Sequence, residues 1–212
     1  MSHPAYPDSH LKRMRAGKPI VFDCIEAAAP AALELDVWYE QTHLPRVRGR
    51  GLRRYAAPAH AAYFYIQELE GDGPVTAPAP MGQAGVHHHI HCRGLSLGGA
   101  HRLDSGLQAL EAPYAYPIFF SVPEPWQTHF DQWYDREHIP MLLQCPQWLM
   151  CRRFKLEDPC GCTWTHLALH YLSDLSALQS PERTAARSTA WRRELESQPW
   201  FRFSHRLGSR LA

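Results

Sequence analysis

Asp131-Gln132-Trp133-Tyr134-Asp135-Arg136-Glu137-His138-Ile139-Pro140 has a counterpart 95 positions earlier, Asp36-Val37-Trp38-Tyr39-Glu40-Gln41-Thr42-His43-Leu44-Pro45. Asp, Trp, Tyr, His and Pro recur in the same order at the same spacing. Working outward, Pro19-Ile20-Val21-Phe22 matches Pro117-Ile118-Phe119-Phe120 on the upstream side. Downstream, Arg53-Arg54-Tyr55 matches Arg152-Arg153-Phe154, with four extra residues in the second copy. Self-similarity at a fixed offset points to a repeated structural unit.

Each copy predicts the same run of elements. A β-rich segment comes first, Ile20–Ile25 and Ile118–Val122. A helix carrying the repeated segment follows, over 33–43 and 125–138, and Pro45 and Pro140 are expected to end it. Two strands come next, Leu52–Ala56 with Ala62–Leu69, and Leu149–Lys155 with Thr165–Tyr171. In the second copy Ser180-Pro181-Glu182 supplies an N-cap, a first-turn proline and an early acid, so a helix is expected to about Ser197. Trp200–Ser204 then reads as a fourth strand. The order β-α-β-β-α-β is that of a ferredoxin-like module. The first copy departs from it: 71–86 is rich in Pro and Gly and reads as a loop. Val86–Cys92 reads as its last strand, and 94–116 as a connector with a short helix near 104–111. The expected division is a flexible arm over 1–17, a first module over 18–112 with a degenerate second helix, and a second module over 113–212.

The Asp-x-Trp-Tyr-Asp-x-Glu-His-Ile-Pro segment, followed by a strand with Arg-Arg-Phe, resembles the helix-to-strand segment of the dimeric α/β-barrel superfamily. Its members include EthD-like, antibiotic-monooxygenase-like and muconolactone-isomerase-like proteins. The likeness covers about 116–207 in the second copy and about 18–70 in the first. It implies an α+β fold in which two tandem ferredoxin-like modules pair their sheets into a barrel, with a small ligand between sheet and helices. A homodimer of such chains is a further implication.

Composition narrows the classes. The formal net charge of +1 over 212 residues gives no basic excess for nucleic acid. No run of 18 apolar residues is present, so no membrane span is expected. The first ten residues lack the apolar core of a signal peptide, which makes a cytoplasmic location the expectation. The six cysteines do not make a disulfide framework in a chain of this length; Cys160-Gly-Cys162 is one Cys-x-Cys pair without a second, and reduced thiols are expected.

The candidate site is drawn from the repeat. Tyr134 and His138, four apart, are expected on one helix face, with Trp133 about 100° away. His138 is the candidate general acid/base and Tyr134 and Trp133 the pocket wall; Arg152 or Arg153 is the anion holder, one of the two facing inward because adjacent strand residues alternate. Trp38, Tyr39 and His43 are the mirrored set. A purely architectural role also fits: a histidine near a helix C-terminus satisfies terminal carbonyls and the dipole, and the arginines pair with Asp131, Asp135, Asp36 or Glu40. The resulting expectation is a protein that binds a small apolar or aromatic organic compound, without cofactor or metal, and whose chemistry is proton transfer, cyclisation, isomerisation or oxygenation. Two alternatives stand beside it. His87-His88-His89-Ile90-His91 puts His87, His89 and His91 on one strand face, a pattern open to metal or haem, although no acid or cysteine at a known ligand spacing accompanies it. A non-enzymatic ligand-binding or assembly module is the other.

Overall fold

The computed structural model describes residues 7–27, 37–43, 45, 52–57, 62–70, 86–160 and 163–211. Side chains of 27, 43, 86, 87 and 158–160 are outside the description. Asp36, the start of the first repeated helix, the 71–85 stretch and the Gly161-Cys162 end of the Cys-x-Cys pair lie outside it too.

Ten strands are described: β1 Leu11–Met14, β2 Ile20–Ala27, β3 Arg53–Ala57, β4 Ala62–Glu68, β5 Val86–Arg102, β6 Tyr114–Phe120, β7 Trp148–Cys160, β8 His166–Leu172, β9 Phe203–His205 and β10 Gly208–Arg210. All pairings are antiparallel. The sheet runs β5-β2-β4-β3-β10-β6-β8-β7, and β7 pairs back onto β5, so eight strands close into a barrel within one chain. Strands β1 and β9 attach to β5 and β6 from outside the ring. The fold is α+β, an antiparallel barrel with a few helices.

Period-two alternation fills the barrel. Ile20, Phe22 and Cys24 of β2, Phe64 and Ile66 of β4, Tyr55 of β3, Phe119 of β6, Phe154 of β7 and Leu167, Leu169 and Tyr171 of β8 form one buried cluster. Strands from both halves contribute, so neither half buries this face alone. Gly208 closes the ring: a Cβ there would lie 2.5 Å from Cε1 of Phe64.

The second-half helices cover the outer face of β6 and β8. Helix α1 spans Glu124–Trp133, continues as a π-helical turn over Tyr134–His138, and ends as α2, Ile139–Leu142. After Ser180 come α3, Pro181–Ala186, and α4, Ala190–Glu196. Trp133, Tyr134, Phe130, Trp191 and Leu195 from these helices pack with Phe120 and Trp148 into a second buried cluster.

Several expectations change. Pro140 does not end the helix. The π-helical turn bonds Ile139 N–H back to the Tyr134 carbonyl, five residues away, and the helix runs on to Leu142. Arg13 donates to the nearby Asp135 carbonyl and His10 meets the Pro140 carbonyl at 2.8 Å, so side chains from the N-terminal segment bond carbonyls along this turn. Within the expected arm, the described residues 7–17 are therefore not free: Leu11–Met14 is strand β1 and Leu11 is buried. Residues 94–102 are not connector but the continuation of β5, which pairs β7 up to His101. Gly98 and Gly99 have φ of 96° and 152°, and a Cβ at Gly99 would lie 2.1 Å from the Cys151 carbonyl oxygen. The glycines that suggest a loop are what lets three strands approach there. The short helix of that region is a 3₁₀ helix, Gly106–Glu111. The expected 180–197 helix is two: Ser180 caps α3 and Thr189 caps α4, each accepting from a backbone N–H three residues on.

Candidate functional site

The outer face of β6 and β8 and helices α1 to α4 enclose a cavity. Its walls are Tyr116, Ile118 and Phe120 of β6, His170 of β8, Trp148, Phe203, and helical Tyr134, His138 and Leu142. Arg183, Arg187 and Arg192 complete it. It measures about 40 Å³ by the centre of a water-sized sphere, and about 430 Å³ when all space between atoms up to the open mouth is counted. The smaller figure is the one comparable with cavity volumes in other proteins, and it leaves room for water-sized groups. Phe203, 40% exposed, and Arg187, exposed, are the lining groups nearest solvent.

Sequence period sets this wall. Along β8, Leu167, Leu169 and Tyr171 face the barrel interior, so His166, Ala168 and His170 face the helices. His170 is fully buried. Its Nδ1 accepts from Trp148 Nε1–H at 3.0 Å. Indole nitrogen is a donor only, so the neutral ring carries its proton on Nε2. That N–H faces the Tyr134 hydroxyl at 3.3 Å and the Cys151 sulfur at 3.9 Å. Tyr134 Oη accepts from His170, and its own proton is available to a group in the cavity. Burial, followed by the Arg183 charge, pushes His170 down to about 3.

His138 stacks on Trp133, centroids 4.5 Å apart, and meets Tyr134 edge-on at 5.0 Å. The π-helical turn is what allows one histidine to touch both aromatics. Its Nδ1 is buried without a hydrogen-bond partner, while the Ala186 backbone hydrogen-bonds the ring. Burial, then the Arg192 and His170 neighbourhoods, hold His138 well below the usual histidine range, so it is neutral at pH 7. Burial also pushes the Tyr134 hydroxyl well up, keeping its proton on.

Three guanidinium groups face this site. Arg192 is buried, pairs with Glu196 at 2.7 Å and lies over the rings of Trp133 and Phe201, 5.4 and 4.8 Å from their centroids. Arg183 donates to the Leu178 carbonyl at 2.5 Å. Among the described residues no carboxylate lines the cavity. The wall is thus aromatic and cationic, a surface suited to a planar anion.

Among the sequence-based candidates, Tyr134 and His138 come together here. Trp133 is fully buried behind His138 and does not line the cavity. Arg152 points into the barrel, where its Nη1 lies 3.1 Å from Glu68 Oε1. Arg153 faces the helices but is held by Asp131 and by Asp135 at 2.8 Å, over the Tyr134 ring. The site's arginines come instead from the α3–α4 region. Trp38 and Tyr39 sit on the opposite half, Tyr39 opening the equivalent π-helical turn Tyr39–His43 and stacking on Tyr63, with Trp38 just before it. Arg54 pairs there with Glu40 at 3.3 Å, as Arg153 does with Asp135. The side chain of His43 is outside the description. Trp148, one of the second-half tryptophans open to a pocket-lining role, lines the cavity. His170, Arg183, Arg187 and Arg192 are not among the sequence-based candidates; the His166-x-Ala168-x-His170 alternation is the available signal for the first.

No family model and no curated protein matches the chain. Solved structures do. An anthrone oxidase-like protein superposes with a TM-score of 0.66 at 11% identity, over 95% of this chain and 94% of that one. A ferredoxin-fold protein from Listeria monocytogenes 4b F2365, described as related to antibiotic biosynthesis monooxygenases, superposes with a TM-score of 0.53 at 11% identity, over 92% and 96%. At these identities the likeness is one of fold, and the fold is the ferredoxin-like α+β barrel. Among the described residues no helix is long and apolar enough to cross a membrane.

Proposed function

We propose that the chain binds a small aromatic ketone or phenol in the Tyr134–His138–His170 cavity and promotes its reaction through an anion, without a cofactor. The observation that carries this is the convergence of a protonated tyrosine, a neutral histidine with a bare Nδ1 and three arginines on one aromatic-walled cavity. A C–H proton beside the ligand carbonyl passes to His138 Nδ1, and the electron pair moves onto the carbonyl oxygen. Tyr134 O–H and the arginines hold that oxyanion. The negative charge offsets the arginine field and raises the proton affinity of His138 when it is needed. Dissolved dioxygen is the oxidant for such an enolate in an anthrone oxidase-like reaction, which yields a quinone and water. A ring-sized ligand enters once Phe203 and Arg187 move aside. The internal repeat and its two π-helical turns support a tandem duplication joined near residues 112 and 113, with an EthD-like segment in each half.

The test uses anthrone and dioxygen with the full chain, following oxygen uptake, and salicylate binding by quenching of tryptophan fluorescence. Catalysed uptake that falls at least about tenfold in Tyr134→Phe and His138→Gln supports the reading. Salicylate binding without any turnover reduces it to a ligand-binding module. The absence of both binding and turnover overturns it.

A further inference from the structure

The first half carries a different cluster on its outer face. Asp23 of β2 stands opposite His91 of β5 on one side and Tyr65 of β4 on the other. His89 lies two residues from His91 on the same strand face. One carboxylate oxygen, Asp23 Oδ2, lies 2.8 Å from His89 Nε2 and 2.7 Å from His91 Nδ1. The aspartate is fully buried, His91 is 5% exposed and the His89 side chain 14%. The Tyr39 turn sits over the same face through its stack on Tyr63.

We propose that Asp23, His89 and His91 form a binding site for a first-row divalent transition-metal ion. One ligand atom from each residue lies within 4.8 Å of the other two, so a single ion can reach all three after small side-chain rotations. The present contacts are hydrogen-bond lengths; coordination at ~2.0–2.2 Å opens those edges to roughly 3 Å. The donor set of two imidazoles and one carboxylate is borderline and suits Zn²⁺, Fe²⁺, Co²⁺ or Ni²⁺. The hydrogen-bonded arrangement also leaves something undone. With Nδ1–H of His91 given to Asp23, the lone pair sits on Nε2, and that atom is buried without a partner. A cation takes this lone pair or, by displacing the Nδ1 proton, its neighbour. Waters or a ligand would fill the remaining positions.

No carboxylate accompanies 87–91 at a ligand spacing in sequence; the sheet brings one from β2. The site is independent of the cavity in the second half.

The experiment uses the untagged full chain, stripped with chelator and titrated with Co²⁺, following visible d–d absorption, then displaced with Zn²⁺. The expected result is a single saturating equivalent whose affinity falls at least about tenfold in Asp23→Asn and in His89→Gln. His88→Gln, which alters the neighbouring histidine on the other strand face, leaves it unchanged. Wild-type thermal stability rises with metal, which reads the site even where Asp23→Asn does not fold. Absence of a saturable Co²⁺ spectrum overturns the proposal, as does an equal loss in His88→Gln and His89→Gln.

Discussion

Trp148 Nε1 donates to His170 Nδ1 across 3.0 Å of buried interior, and this bond fixes the tautomer of the histidine that faces Tyr134. Replacing Trp148 with Phe removes the one donor to that nitrogen among the described residues and leaves a buried acceptor unmet. Unfolding in urea should show a loss of about 2–3 kcal/mol, from the unsatisfied nitrogen and the missing ring volume together. An unchanged midpoint would mean that the bond is unimportant.

Acid should destabilise the protein early. His170 is lowered to about 3, His166 to about 4, and His138 is also lowered, each mainly by burial. A histidine depressed in the folded state contributes stability that is complete above its unfolded value, near 6.5, and lost as pH falls toward the folded value. Between pH ~6 and ~4 the unfolded chain therefore binds up to three more protons, a slope of up to about 4 kcal/mol per pH unit. Unfolding free energies measured from pH 7 to 4 should fall steeply, and His170→Gln should remove about one proton from the slope.

Arg187 is exposed and sits at the cavity mouth. Arg187→Met should change stability by less than about 0.5 kcal/mol. If the cavity holds anions, salicylate binding should weaken by about tenfold, the value of one charge-assisted hydrogen bond. Equal binding by wild type and variant would show that this guanidinium does not reach the ligand.

Arg153 is 3% exposed between two carboxylates, Asp131 and Asp135, that are themselves a third or more exposed. Burial raises Asp131 in spite of the neighbouring guanidinium, so desolvation outweighs the pair's attraction at that carboxylate. Arg153→Met should cost about 2 kcal/mol, discounted for solvent screening of the acids. Adding Asp131→Asn should recover part of that loss in a double-mutant cycle.

Gly208→Ala should weaken barrel closure, because the new methyl meets the Phe64 ring and the Tyr55 Cβ within 2.7 Å. A loss of about 1–3 kcal/mol is expected from overpacking. Gly106→Ala has open space around it and is the control for methyl bulk; its φ of 53° still carries backbone strain of about 1 kcal/mol.

Strand and helix content was largely legible because composition and periodicity are local: β2, β4 and β8 fall where the β-rich segments put them, β6 begins four residues before the expected Ile118, and Ser180 caps a helix as its type suggests. The repeated Trp-Tyr-x₃-His segment likewise pointed to a helix in each half, and in both it takes the form of a π-helical turn. Registers and partners were not legible. Whether Arg152 or Arg153 faces the helices depends on strand phase, and the phase is set by the pairing of β7 with β5 and β8. Gly98 and Gly99 read as a loop because nothing local reports that Cys151 and Met14 press against them. Asp23 meets His91 only because β2 pairs with β5, 68 residues away along the chain. The sequence alone determined which segments become strands and helices and that two segments repeat. Tertiary structure decided which side chains share a cavity, because closing the barrel joins residues whose separation in sequence carries no trace of their contact.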